Sequence, residues 1–276
     1  AKAVEGVVAV FTAEDVPGAK KIGHLVQDYD VMIPVGGITH FLGDAIALVV
    51  AENAAALEAG KAAVKVEYEP LTPILSAADA SREGFELVHL ERKDNLLSYQ
   101  CVKRGNADEV IKHSAHVVTN HYSVPFTDHA FLEPECAVAE VEGDGVHIFS
   151  GDQGVYQTRK ECSMMLGLAP ELVRVTAMMV GGGFGGKEDM SVQHHAALAC
   201  YLLKRPVKVR FTRTDSLLIH PKRHAMEMDF TTACDENGKL TAMRARIIAD
   251  SGAYASLGGP VLQRACTHAA GPYNYQ

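Results

Sequence analysis

The run Gly181-Gly182-Gly183-Phe184-Gly185-Gly186-Lys187-Glu188 puts five glycines into six positions directly after the apolar stretch Leu172 to Val180. Glycine accepts φ > 0 and lets main-chain amides come within hydrogen-bond distance of a ligand, and amides that open a helix favour anions. A bulky anionic cofactor is the expected occupant, and the spacing alone leaves three readings open. Gly181-x4-Gly186-Lys187 follows the phosphate-binding P-loop up to the residue whose hydroxyl should hold Mg²⁺, where Glu188 stands and would repel phosphate. Gly181-x-Gly183-x-x-Gly186 follows the dinucleotide fingerprint, which wants an acid about 20 residues on. No acid lies near Pro206, and Arg210 and Arg213 follow instead, which keeps NADP open. The third reading is a tightly packed turn without a ligand.

Around this loop stand other residues that could do chemistry. Gln153 follows an apolar strand, where an exposed amide could face a cleft or serve as a helix cap. Glu188 suits the first turn of a helix, where the dipole favours a carboxylate. Phe184 reads either as a wall beside a ligand or as an apolar peg for the loop, and Lys187 as a counter-charge to a cofactor or a cap on a carbonyl. His194 and His195 are adjacent on a helix and so face about 100° apart, and Pro221 interrupts the face that His220 and His224 would share; a protein zinc site is not expected. Arg159, Lys160 and Glu161 read as a solvated helix face, and Met164-Met165 and Met178-Met179 as core.

The elements that must position these groups are mixed. Val7 to Phe11, Ala45 to Ala51 and Ala63 to Tyr68 read as strands and Glu52 to Ala62 as a helix capped by Asn53. Leu75 to Arg104 loses periodicity and reads as a connection. Beyond it the pattern predicts a helix at Ala107 to Ser114, a strand at Val117 to Val124, and a hairpin of Glu135 to Glu140 with Val146 to Ser150 about Gly143-Asp144-Gly145. A helix over Gly154 to Leu166 ends at Gly167. A strand over Val173 to Met179 runs into the glycine loop, followed by a helix over Ser191 to Leu203 and a strand over Val207 to Phe211. Met226 to Ala233 and Leu240 to Ala249 pair across Asp235-Glu236-Asn237-Gly238.

With 276 residues the chain can bury a sizeable core. A formal charge of −8 without basic runs argues against a nucleic-acid partner. No apolar run reaches the roughly 18 residues that span a bilayer, and no leader pattern is present, so no membrane partner and a cytoplasmic location are expected. Six scattered cysteines without close pairs read as reduced, mostly buried residues, which disfavours an iron–sulfur cluster within this sequence. The start at Ala1-Lys2 and the stop at Tyr275-Gln276 suggest a fragment.

The motifs fall in a recognisable order: Asp128-His129-Ala130-Phe131-Leu132-Glu133-Pro134, Ser150-Gly151-Asp152-Gln153 with Tyr156-Gln157, Gly181 to Glu188, Ile219 to His224, and Asp250-Ser251-Gly252-Ala253-Tyr254. With Val4 to Gly18 and Gly43 to Glu52 in the amino-terminal third, this order resembles the molybdenum-binding subunit of the xanthine dehydrogenase and aldehyde oxidase family. The runs Asp189 to His195 and Val261 to His268 are most similar to its bacterial, selenium-dependent xanthine dehydrogenase branch. The resemblance implies an α+β fold: residues 1–80 as an α/β hammerhead domain lacking its first strand, 81–104 as a linker, and 105–276 as the first part of a mixed α/β molybdopterin-binding domain.

It further implies a molybdenum–molybdopterin cofactor, a cytosine dinucleotide form included, that hydroxylates purines such as xanthine or hypoxanthine with oxygen from water. Electrons would pass to [2Fe-2S] and FAD on other domains or subunits, and the remaining molybdopterin-binding region would be a further partner. Gln153 is implied to hydrogen-bond the metal's oxo ligand, a task that suits a neutral donor. Gly183, Phe184 and Gly185 are implied as backbone contacts to the pterin or metal ligands, with Phe184 beside the metal, and Glu188 as the purine-binding residue. The base and the remaining substrate clamps would lie downstream, so the isolated piece is expected to be inactive. The alternatives are an NADP-linked dehydrogenase and a non-catalytic structural subunit of a split enzyme.

Overall fold

The structure is a computed structural model that describes residues 1–275. In chain order, its first elements are β1 (Val7–Phe11), β2 (Lys21–Ile22), β3 (Tyr29–Asp30), β4 (Leu48–Ala51), α1 (Ala54–Ala62), α2 (Ala77–Ala80) and α3 (Ala107–His113). There follow β5 (His116–Val124), β6 (Cys136–Glu142), β7 (Gly145–Ser150), α4 (Val155–Leu166), β8 (Val173–Ala177) and α5 (Gln193–Leu203). The last are β9 (Val207–Arg210), α6 (Arg213–Ile219), β10 (Met226–Cys234), β11 (Leu240–Ala249) and α7 (Gly258–His268). They gather into two compact units that interleave along the chain, one of residues 1–72 with 128–222 and the other of 73–127 with 223–275.

The first unit is built on a four-stranded sheet in the order β8-β7-β6-β9, in which β7 and β8 run parallel and the other neighbours antiparallel. Parallel neighbours need a crossover, and α4 supplies it. Alternation along the first half of β6 turns Ala137 and Ala139 inward, while β7 is buried nearly throughout, and these two alanines with Val146 and Ile148 are fully buried. Against them lies α5, whose Ala196, Ala197, Leu198, Ala199 and Cys200 are also fully buried; small side chains let the helix axis approach the sheet closely. The amino-terminal portion adds the antiparallel pair β1–β4, on which α1 packs with Asn53 accepting from the Ala56 N–H at 3.0 Å as expected. The second unit is an antiparallel sheet in the order β11-β10-β5 with α3 packed on β11. Its β10–β11 hairpin turns where expected, held by the Asp235 carboxylate accepting from the N–H groups of Asn237 and Lys239.

Several expectations are corrected. Ala63 to Tyr68 forms no strand: among the described residues no strand pairs with it, and much of it is exposed. α6 and α7 were not expected at all. Only two of the six cysteines, Cys162 and Cys200, are buried, while Cys101 is exposed. Met165 is core but Met178 and Met179 are 52% and 95% exposed, since the chain leaves the sheet at Ala177. The rings of His194 and His195 meet at 3.9 Å between centroids instead of pointing apart, both packed into the interior.

Glu161 also differs from its expected solvated position: it is buried, with Gln157 Nε2 donating to its carboxylate at 2.6 Å. Burial raises its pKa, and the Gln157 hydrogen bond opposes this only in part. A carboxyl raised in the fold stabilises most below its unfolded pKa and loses that contribution as pH rises through its folded value. Glu161→Gln should therefore raise the melting temperature near pH 8 by a few degrees, at about 2–4 °C per kcal/mol, and give no gain near pH 4; thermal melts at the two pH values check this.

Candidate cofactor site

Parallel strands share a carboxyl end, and the candidate residues converge at that of β7 and β8. The ladder continues one step beyond the strands, with the Met178 N–H donating to Ser150 O at 2.8 Å. Past this point the β7 exit becomes Gly151-Asp152-Gln153 and the β8 exit becomes the glycine loop. Crevices outside the carboxyl ends of parallel strands are where α/β sheets hold ligands.

Asp152 fixes the first exit. It is buried, and its carboxylate accepts from the Gly154 N–H at 2.5 Å and from the Thr158 hydroxyl at 2.7 Å, which ties the β7 exit to the first turn of α4. Gln153 is thereby presented at the surface end of the sheet, and its own N–H donates to Lys187 O at 3.0 Å. Its side-chain oxygen accepts from the N–H groups of Gly185 at 3.2 Å and Lys187 at 3.1 Å. Two donors facing one end of the amide require the oxygen there, so the NH₂ faces away from the loop and is available to an acceptor.

The loop itself is held at both ends. Glu133 N–H donates to Gly181 O at 3.3 Å, and the Gly181 N–H donates to Glu133 Oε2 at 2.7 Å. Lys187, 3% exposed, donates from Nζ to Glu133 O at 3.0 Å and to Glu133 Oε2 at 3.1 Å, and lies 4.4 Å from the centre of the Phe131 ring. Lys187 is thus spent within the protein, on a carbonyl and a carboxylate. The glycines are needed for close approach and for backbone sign. A Cβ on Gly183 would lie 2.3 Å from Gln153 Oε1, and Gly185 has φ 87°.

The Gly185 N–H serves Gln153 and the Gly186 N–H donates to Gly183 O at 2.8 Å. Among the described residues, the N–H groups of Gly182, Gly183 and Phe184 meet no acceptor. Phe184 takes φ 52°, which costs a non-glycine residue about 1–3 kcal/mol, and the residue is 73% exposed, so it does not peg the loop to the protein. Glu188 is half-buried, with its backbone against Gly154. It belongs to a three-residue 3₁₀ turn, Gly186–Glu188, and α5 starts only at Gln193. The expected α-helix dipole at the loop is therefore absent, and donors here are single N–H groups.

Beneath the loop lies a pair that sequence reading missed. Glu135 and His220 are both almost fully buried and form an ion-pair contact, and a Cβ on Gly186 would come 2.3 Å from His220 Nε2 and 2.9 Å from His129 Nδ1. Burial would raise the Glu135 pKa, but the hydrogen bond from His220 and further donors outweigh it and hold the carboxyl below its ordinary value. Asp128 and Lys222 pair beside it at 2.9 Å.

Fold and site together define an α+β protein with a glycine loop at the carboxyl ends of parallel strands, carrying unspent main-chain donors beside an outward amide. Residues 1–72 match the family model described as aldehyde oxidase and xanthine dehydrogenase, a/b hammerhead domain, and residues 88–276 match the molybdopterin cofactor-binding domain. The chain belongs to the xanthine dehydrogenase and aldehyde oxidase family of molybdenum enzymes.

Similar proteins include a probable xanthine dehydrogenase subunit of Bacillus subtilis, 35% identical over 99% of this chain and 36% of that one. The nicotinate dehydrogenase large molybdopterin subunit of Eubacterium barkeri is 34% identical over 99% of this chain and 64% of that one. Among solved structures, the aldehyde oxidoreductase of Desulfovibrio gigas superposes with a TM-score of 0.84 at 26% identity, over 90% of this chain and 28% of that one. The chain thus spans about a third of the Bacillus relative and somewhat under two thirds of the Eubacterium one. No helix among the described residues is long and apolar enough to cross a membrane.

Proposed function

We propose that this chain forms the cofactor-holding part of a molybdenum hydroxylase that acts on a purine or a related N-heterocycle. The observation that carries the reading is the row of unspent N–H groups at Gly182, Gly183 and Phe184 next to the outward NH₂ of Gln153. A pterin-ligated molybdenum group presents oxo and pterin acceptor atoms, and neutral donors suit these without adding charge. When bound, the group supplies the two-electron oxidation of an electron-poor ring carbon, with water as the oxygen source. Gln153 would hold the oxo ligand and the N–H groups of Gly183 and Phe184 the group's other acceptors. Gly185 would serve by bracing the Gln153 amide. The exposed Phe184 ring would wall the same space.

Glu188 would face the substrate, its carboxylate accepting from a ring N–H. The names of the relatives, xanthine and nicotinate dehydrogenases, both denote N-heterocycle oxidation, which favours that class over simple aldehydes. The cytosine dinucleotide form of the cofactor, and [2Fe-2S] and FAD components as electron acceptors, are proposed on the same kinship. So is a hammerhead module over 1–80, joined by 81–104 to the molybdopterin-binding module.

The test is turnover by the holoenzyme in ¹⁸O-water with xanthine or hypoxanthine. Label should enter the product, and Glu188→Gln should lower kcat/KM by about tenfold or more, the loss of a hydrogen bond to a charged group, while leaving metal content unchanged. Aldehyde oxidation with no purine turnover would refute the substrate reading.

A further inference from the structure

We propose that Glu133 and Lys187 form a clasp that sets the shape of the cofactor loop and the aim of the Gln153 amide, and that both are positioning residues. The proposal deepens the cofactor reading above and rests on it. Glu133 reaches across 48 residues to one end of the loop, at the Gly181 N–H, and across 54 to the other, at Lys187 Nζ. One carboxylate oxygen, Oε2, receives both donors, at 2.7 and 3.1 Å, and the Glu133 carbonyl takes a second contact from the same ammonium. The loop from 181 to 187 is thus closed into a ring by a single side chain.

Lys187 is the second node. Its N–H donates to Gln153 Oε1, its carbonyl accepts from the Gln153 N–H, and its ammonium is held by Glu133. A shift of Lys187 must therefore move both the backbone and the amide of Gln153. The pair is lopsided in burial, with the Lys187 side chain 2% exposed and that of Glu133 34%. A buried ammonium is costly unless paired, so the loop has one geometry in which the cation is satisfied, and in that geometry the NH₂ of Gln153 faces outward.

The test uses Glu133→Gln, Lys187→Met and the double variant, which removes both charges and guards against misfolding from a buried unpaired cation. Hydrogen exchange is followed on protein grown without molybdenum, so that this arm does not depend on the cofactor reading. Amides of Gly181, Gly185 and Lys187 should exchange about tenfold faster or more in each variant, while the amides of α5 keep their protection. In holoenzyme, variants that keep the metal should show a shifted electron paramagnetic resonance spectrum of the partly reduced molybdenum, a signature that mere destabilisation would not move.

Wild-type exchange rates in the folded double variant would overturn the clasp. Faster exchange with an unchanged metal spectrum would reduce the pair to scaffolding and overturn its positioning role. A wild-type holoenzyme without molybdenum would refute the cofactor reading instead, and the exchange result would still decide the clasp.

Discussion

Gly183→Ala should strip the cofactor site while leaving a folded protein. The added Cβ would stand 2.3 Å from Gln153 Oε1 and 2.6 Å from Cδ, closer than relaxed structures allow, and 3.1 Å from Cγ. Gln153 cannot retreat freely, because its N–H is bonded to Lys187 O and the preceding Asp152 is buried and locked onto α4. Either the amide turns away and releases the Gly185 and Lys187 N–H groups, or the loop lifts off the sheet. Overpacking of this kind costs about 1–3 kcal/mol, which a chain of this size with a buried core survives. Cofactor content should fall by about tenfold or more, since both the outward NH₂ and the Gly183 N–H move and each lost charge-assisted bond is worth ~1.5–3 kcal/mol. Circular dichroism and metal analysis on one preparation check the two halves; a variant that binds molybdenum at wild-type stoichiometry would be inconsistent with the geometry described.

His220→Leu should have the largest effect on stability. It leaves the Glu135 carboxylate buried without the side chain that hydrogen-bonds it, and stripping the donor from a buried charged acceptor costs about 3 kcal/mol or more. The pH dependence has a defined sign. Glu135 is held below its ordinary value in the fold, so its contribution is present above the unfolded carboxyl pKa and is lost as pH falls through the folded one. In His220→Leu that support is gone and the carboxyl prefers to be neutral, so the penalty should be greatest at neutral pH and shrink below about pH 4, near the unfolded value. Adding Glu135→Leu should recover part of the loss at neutral pH. Denaturant unfolding of the single and double variants at pH 4 and pH 7.5 measures this, and a penalty independent of pH would contradict it.

The site was readable in the sequence where its chemistry is written into residue types close together. Five glycines after an apolar run do not continue an ordinary strand, and Gln153 follows the apolar strand that became β7. The Asn53 cap and the Asp235–Gly238 turn were readable for the same reason, since each acts within four residues. What escaped notice is non-local or atypical. Glu133 lies in a motif that was recognised, but its role was not, because it acts on residues 48 and 54 positions away. Glu161 sits in a charged run whose inward turn depends on where α4 meets the rest of its unit. Ala63 to Tyr68 has the composition of a strand but lacks a partner to pair with. α6 carried a usable signal, the Thr212 and Asp215 capping box, in a segment too polar to suggest a helix. α7 begins with Gly258-Gly259-Pro260, which reads as a turn.

The central claim is that the donors of Gly183, Phe184 and Gln153 hold a pterin-ligated molybdenum. Metal and pterin analysis of the enzyme, expressed with its cofactor-maturation machinery and partner components, tests it most directly. About one molybdenum and one releasable pterin per chain, both lost in Gly183→Ala, is the predicted result; a folded, complete enzyme holding neither would contradict the account.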